Sequence, residues 1–154
     1  MPIKAVVFDI DGTLVHSTPH CLSITNQLLV SNNRSALTSS EYSELTKYDT
    51  ASRFTAHLHG EAALTSPEFP KLYEDGLRLG AEFDALYVST LSSTNCPLYP
   101  GIKMPLLSLA SKGVKLAALT NACLAYATSV FLAHGLSPYF SEVAGADSVP
   151  ASKP

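Results

Sequence analysis

The sequence predicts an α/β protein, a parallel sheet whose strands alternate with helices and which is interrupted by a helical block. Three observations predict it. Two short, mainly apolar runs, residues 3–8 and 114–119, each end in a polar turn, as strands covered on both faces do. Between them, residues 17–91 carry helix starts and stops but no strand pattern. Beyond residue 101, helical and strand-like segments alternate, the signature of a sheet built from βα units. With 154 residues, 46% of them hydrophobic, the chain suits one core-forming domain with a small insert.

The elements follow in order. Residues 3–8 form the first strand. Thr18-Pro19 then places a cap residue before a proline at the first helical position, and Leu22, Leu28 and Leu29 share one face of the helix. Thr38-Ser39-Ser40-Glu41 fits a capping box. Residues 51–59 fit a short third helix closed by Gly60. Ser66-Pro67 opens a long helix toward Leu91, with an apolar face of Leu72, Leu79, Phe83, Leu86 and Tyr87, weakened by Gly76 and Gly80.

Residues 92–101 read as linker and turn. A helix over 102–112 ends at Gly113 and tolerates Pro105 only because it lies in the first turn. The second strand, 114–119, leads through Asn121, read as an N-cap, into a helix that runs to His134 and stops at Gly135. A weak third strand covers 142–145. The division is therefore 1–16 and 92–154 as the α/β core, with 17–91 as the helical insert.

Composition excludes several classes. A net charge of −3 without a basic stripe argues against nucleic acid as the main partner. No apolar run approaches the ~18 residues that span a bilayer, and the first residues lack the pattern of a secretory signal. Cys21, Cys96 and Cys123 are odd in number and widely spaced. They are expected to be thiols in a reducing, cytoplasmic setting, not a disulfide framework or a zinc site.

The chemistry concentrates in Ala-Val-Val-Phe-Asp-Ile-Asp-Gly-Thr-Leu, residues 5–14. Alternate residues of a strand point to one face, so Asp9 and Asp11 address one point at the strand's C-terminal end, where open α/β sheets bind ligands. Two carboxylates so close repel unless a divalent cation shares the site, or unless one is a nucleophile and the other an acid/base. The bland alternative is an Asp-Ile-Asp-Gly turn. Leu119-Thr120-Asn121 ends the second strand, where a hydroxyl and free helix N–H groups suit phosphate oxygens, although a simple N-cap reads the same way. Lys153, near the end of the chain, reads by default as solvated surface.

The first of these segments resembles the leading signature of the haloacid dehalogenase-like (HAD) hydrolase superfamily, an apolar strand followed by DxDGT. The resemblance implies Asp9 as the nucleophile that takes up a phosphoryl group and Asp11 as general acid/base, the second Asp marking phosphoryl chemistry. It implies phosphate binding by Thr120, with Asn121 helping to position the site, and by Gly12 and Lys153. The Lys resembles the family's third signature. It also implies Mg²⁺ held by Asp9 and Asp11. Tyr99-Pro100-Gly101, the Leu-Thr-Asn turn, residues 131–135 and the Gly-Ala-Asp-Ser-Val-Pro…Lys-Pro tail are similar to the phosphoglycolate phosphatase-like subgroup. In that subgroup a helical cap follows the first signature, which is where 17–91 lies.

The implied fold is thus a Rossmann-like parallel sheet, a truncated HAD core, with an inserted α-helical cap. The implied function is Mg²⁺-dependent hydrolysis of a small phosphomonoester through an aspartyl-phosphate. The fourth signature, an acidic pair on a later strand that completes Mg²⁺ coordination, is missing. With it goes at least one βα unit of ~30 residues, so the edge of the first strand is expected to be unpaired and prone to self-association. Two alternatives stay open: a catalytically impaired fragment with a phosphate-binding or regulatory role, and a phosphomutase of the same superfamily. His16, where many relatives carry Asp, either contacts substrate or caps a turn.

Overall fold

A computed structural model of the chain describes residues 3–150 and divides them into two units. One contains the residues up to Thr18 together with those from Thr90 onward; the other is Pro19–Ser89. The strands are β1 (Ala5–Phe8), β2 (Lys115–Leu119) and β3 (Phe140–Ala144). The helices are α1 (Thr18–Ser31), α2 (Ser39–Glu44), α3 (Thr50–His59), α4 (Phe69–Thr90), α5 (Lys103–Ser111) and α6 (Leu124–His134).

The sheet has the order β1-β2-β3 and both pairings are parallel, as the alternation of strand and helix requires. Ala5 lies opposite Lys115 and Phe8 opposite Ala118. A bulge at Ser141 shifts the β2–β3 register, and the Ser141 hydroxyl donates to the Leu116 carbonyl at 3.0 Å. Helix α5 packs on β2 and α6 on β3. Leu106, Leu116, Val130, Phe131 and Leu136 are buried in this unit, and Phe131 meets Phe140 edge-on at 4.5 Å.

The first strand departs from one of its two expectations, that of being covered on both faces. The 3–8 run reads as a strand covered on both faces, but β1 is an edge of the described sheet and its residues alternate in exposure. Because the helices of this unit pack on β2 and β3, Val7 stays 64% and Ile3 70% exposed.

In the helical unit the capping box of α2 is complete: the Thr38 hydroxyl accepts from Glu41 N at 3.3 Å, and Thr38 N donates to Glu41 Oε2 at 2.7 Å. Helix α3 begins behind Asp49, whose carboxylate accepts from Ser52 N at 3.0 Å, and ends at Gly60 with φ of 86°, a left-handed conformation that favours glycine. Helix α4 starts at Phe69, later than Ser66-Pro67 implied. A 3₁₀ turn at Glu61–Thr65 intervenes, and the Ser66 hydroxyl accepts from Glu68 N at 3.1 Å.

Gly76 is not a weak point of α4. A Cβ there would lie 2.1 Å from Thr55 Oγ1 and 2.2 Å from the Ala51 carbonyl, so this glycine is what lets α3 and α4 approach. Phe54, Phe83 and Tyr87 form an aromatic run with ring centroids 5.8 and 5.7 Å apart, and His20 lies 4.9 Å from Tyr87. Among the described residues no helix is long and apolar enough to cross a membrane. Cys96 is buried, Cys21 and Cys123 are half-buried, and all three are thiols.

Candidate active site

The site is built where β1 and β2 end. Directly after Phe8 the chain turns at Asp9, and the fully buried Ile10 anchors the turn. The Ile10 carbonyl accepts from the amides of Thr13 (3.3 Å), Leu14 (2.8 Å) and Val15 (3.1 Å). Gly12 has φ of 74°, and a Cβ added there would meet nothing within 4 Å, so glycine is needed for its backbone conformation, not for space. Its N–H donates to the Val15 carbonyl at 3.0 Å.

This turn holds Asp11 where three hydroxyls converge on one carboxylate. Ser17 donates to Oδ1 at 2.6 Å, Tyr126 donates to the same oxygen, and Thr120 donates to Oδ2 at 3.2 Å. Asp9 accepts from the Thr13 hydroxyl at 3.1 Å. The structure joins Asp11 to Thr120 across the ends of β1 and β2, and Asp9 and Gly12 lie in the same turn as Asp11. Thr120 is buried, and its hydroxyl also accepts from Ala122 N at 3.1 Å. With both oxygens engaged, the Asp11 carboxylate has a fixed orientation.

The expected capping by Asn121 is not what the structure shows. The N-cap of α6 is Cys123, with no side-chain cap bond. Four residues separate β2 from α6, which leaves Asn121 two positions upstream of the cap. Asp147 performs that task from the loop after β3, accepting from Leu124 N at 2.7 Å. Beside it, Ala146 N donates to the Ala122 carbonyl at 2.8 Å. A Cβ on Gly145 would fall 2.3 Å from Leu124 N and 2.6 Å from the Cys123 carbonyl carbon. Only glycine fits this approach of one loop to the other. His16 stacks its ring at 5.6 Å from Tyr99 and donates its amide to the Pro97 carbonyl. Lys153 lies outside the described residues.

Sequence reasoning missed Ser17 and Tyr126. Ser17 follows the motif at no diagnostic spacing. Tyr126 shares the buried face of α6 with Ala127, Val130 and Phe131, so by periodicity it reads as core, and only the fold reveals where its hydroxyl goes.

As a test for a metal, the donors are right in kind: Mg²⁺ takes oxygen ligands, commonly one or two carboxylates completed by water and substrate phosphate. Asp9 would supply a carboxylate and Asp11 its main-chain carbonyl, since hydroxyls already engage both oxygens of the Asp11 carboxylate. No cluster of three His, Cys, Asp or Glu side chains that could hold a metal forms among the described residues.

The haloacid dehalogenase-like hydrolase profile matches residues 3–154. Curated relatives include a phosphoglycolate phosphatase of Vibrio cholerae, 30% identical over 153 residues, and one of Vibrio vulnificus, 32% identical over 154 residues. The alignments take in 99% of this chain but 66% and 65% of those proteins, so the chain spans about two thirds of their length. A solved structure described as a predicted phosphoglycolate phosphatase from Haemophilus somnus superposes with a TM-score of 0.76 at 24% identity, over 99% of this chain and 66% of that one. A haloacid dehalogenase-like hydrolase from Bacteroides fragilis superposes with a TM-score of 0.78 at 17% identity, over 99% and 68%. Fold, motif and profile agree: the chain belongs to the haloacid dehalogenase-like hydrolase family.

Proposed function

We propose that the chain carries the catalytic core of a phosphatase acting on a small phosphomonoester. The observation that carries this reading is the contact of Asp11 with Thr120 across two adjacent strand ends, the hydroxyl 3.2 Å from the carboxylate, with Asp9 at the end of the same strand as Asp11. A carboxylate Oδ of Asp9 attacks phosphorus and the ester oxygen departs, taking a proton from Asp11. Water then attacks the phosphorus of the aspartyl-phosphate. Asp11 takes up its proton, and inorganic phosphate and free Asp9 are released.

The Thr120 hydroxyl turns from Asp11 to a phosphate oxygen when substrate arrives. Lys153 and Asn121 support the phosphate, and Gly12 shapes the turn that presents both aspartates. The Asp9 carboxylate and the Asp11 main-chain carbonyl would hold Mg²⁺, which would supply charge neutralisation at the phosphate. The unit Pro19–Ser89 serves as the family's cap and sets substrate choice. The relatives' names make phosphoglycolate the first substrate to test.

A second reading, a phosphate-binding fragment without turnover, is favoured by one observation: the described residues assemble no three-ligand metal cluster. Release of phosphate from phosphoglycolate and other small phosphomonoesters, with and without Mg²⁺, separates the two when run beside Asp9→Asn. Release that needs both Mg²⁺ and Asp9 supports the enzyme. A folded chain that binds phosphate but releases none supports the second reading. The exposed edge of β1 is proposed to mediate self-association, which sedimentation over a concentration series would register.

A further inference from the structure

The helical unit contains a charge that its own side chains do not answer. Arg53, in the middle of α3, is only 8% exposed. Its guanidinium carbon lies 5.3 Å from the Tyr42 ring centroid and 5.2 Å from that of Phe83. Its Nε is buried without a hydrogen-bond partner. The ion pairs among the described residues of this unit, Lys47–Glu61, His59–Asp75, Arg78–Asp75 and Arg78–Glu82, leave Arg53 out.

A buried guanidinium without a carboxylate is costly. Two ring faces offset part of that cost, yet they are no substitute for in-plane acceptors for a fork of five N–H donors. One turn further along α3, His57 Nε2 is also buried without a partner. Burial and the Arg53 charge push His57 down to about 4, so at neutral pH its ring adds no second charge and can donate one N–H. The acid that acts on His57 is Glu41, which is engaged with the Thr38 amide and hydroxyl in the capping box.

We infer that Arg53 and His57 form an oxyanion site in the helical unit, taking the carboxylate or phosphate group of a small metabolite. The guanidinium presents the planar fork that pairs with such groups in bidentate fashion. The site belongs to the helical unit alone and does not depend on the phosphatase reading.

The test follows the Arg53 Nε–H resonance, assigned through its own side-chain connectivities, in the ¹⁵N-labelled full chain. Sodium acetate and sodium phosphate are titrated separately, with sodium chloride at matched ionic strength as control. The expected result is a saturable shift of this resonance with acetate, phosphate or both, and none with chloride. The stronger responder identifies the chemistry. In Arg53→Lys, which keeps the charge but loses the fork, the affinity for that anion should fall about tenfold or more, as expected when a charge-assisted hydrogen bond is lost. An Arg53 resonance that neither anion moves, or that chloride moves equally, overturns the inference and leaves a cation packed on aromatic rings. Repeating the titration in Thr120→Val removes any contribution from phosphate bound at the strand ends.

Discussion

Helix α4 offers a sharp test because two of its glycines demand opposite outcomes. Judged by helix propensity alone, Gly76→Ala and Gly80→Ala should each stabilise α4 by about 1 kcal/mol. At Gly80 the new Cβ would find its nearest atoms at 3.5 Å, an ordinary contact, so most of that gain should survive, about 0.5–1 kcal/mol. At Gly76 it would sit 2.1 Å from Thr55 Oγ1 and 2.2 Å from the Ala51 carbonyl, well inside normal contact. The Thr55 hydroxyl also donates to that same carbonyl at 2.9 Å, so the methyl group would split a buried hydrogen bond and force two helices apart. Overpacking costs about 1–3 kcal/mol and the lost hydrogen bond about 1 kcal/mol. Set against the propensity gain, these leave Gly76→Ala destabilised by roughly 1–3 kcal/mol. Urea unfolding of both variants beside the parent decides it, with midpoints moving in opposite directions at unchanged slope. A Gly76→Ala chain as stable as the parent would refute the close approach of α3 and α4.

Three further outcomes can be measured. Tyr126→Phe removes one of two hydroxyls on Asp11 Oδ1. If the phosphatase reading holds, kcat/KM should fall about tenfold, the equivalent of one lost hydrogen bond, with Ser17 still in place; an unchanged pH–rate profile and rate would deny Tyr126 a positioning role. Asp49→Ala deletes the cap of α3 and should cost about 1 kcal/mol in chemical denaturation, so equal stability would show the cap to be idle. His57 is held down to about 4, chiefly by burial and then by Arg53, against about 6.5 when unfolded. Its neutral form is favoured in the fold, so its contribution is complete above pH 6.5 and is lost as pH falls toward 4. Stability of the parent should therefore drop more steeply across that window than stability of His57→Gln; parallel curves would contradict the shift.

Much of this fold was legible because local chemistry and global architecture agree. The capping box at Thr38, the glycine stops at Gly60, Gly113 and Gly135, and the strand ends carrying Asp9 and Thr120 all act over a few residues, the range that sequence pattern reaches. What escaped reading depends on contacts between distant segments. Asn121 looked like a cap because Asp147, which caps α6, arrives from 23 residues downstream of Leu124. Gly76 looked like a helix weakness because its neighbour is α3. Tyr126 reads as a core aromatic because periodicity assigns a face, not the destination of a polar tip. The exposure of Val7 was hidden for a similar reason: an apolar strand does not reveal which neighbours cover it.

The contact at Gly145 has a consequence for how variation in this chain should be interpreted. Two hydrogen bonds, one to a backbone carbonyl and one to a side chain, fasten the loop after β3 onto the turn that bears Thr120, and there is no clearance for even one methyl group between them. If the phosphatase reading holds, a mutational scan scored on activity would mark Gly145 as intolerant as Asp9, although Gly145 offers a reactant nothing. Sensitivity at this position measures mechanical fit, and only a readout of folding beside one of turnover would keep it from being mistaken for chemistry.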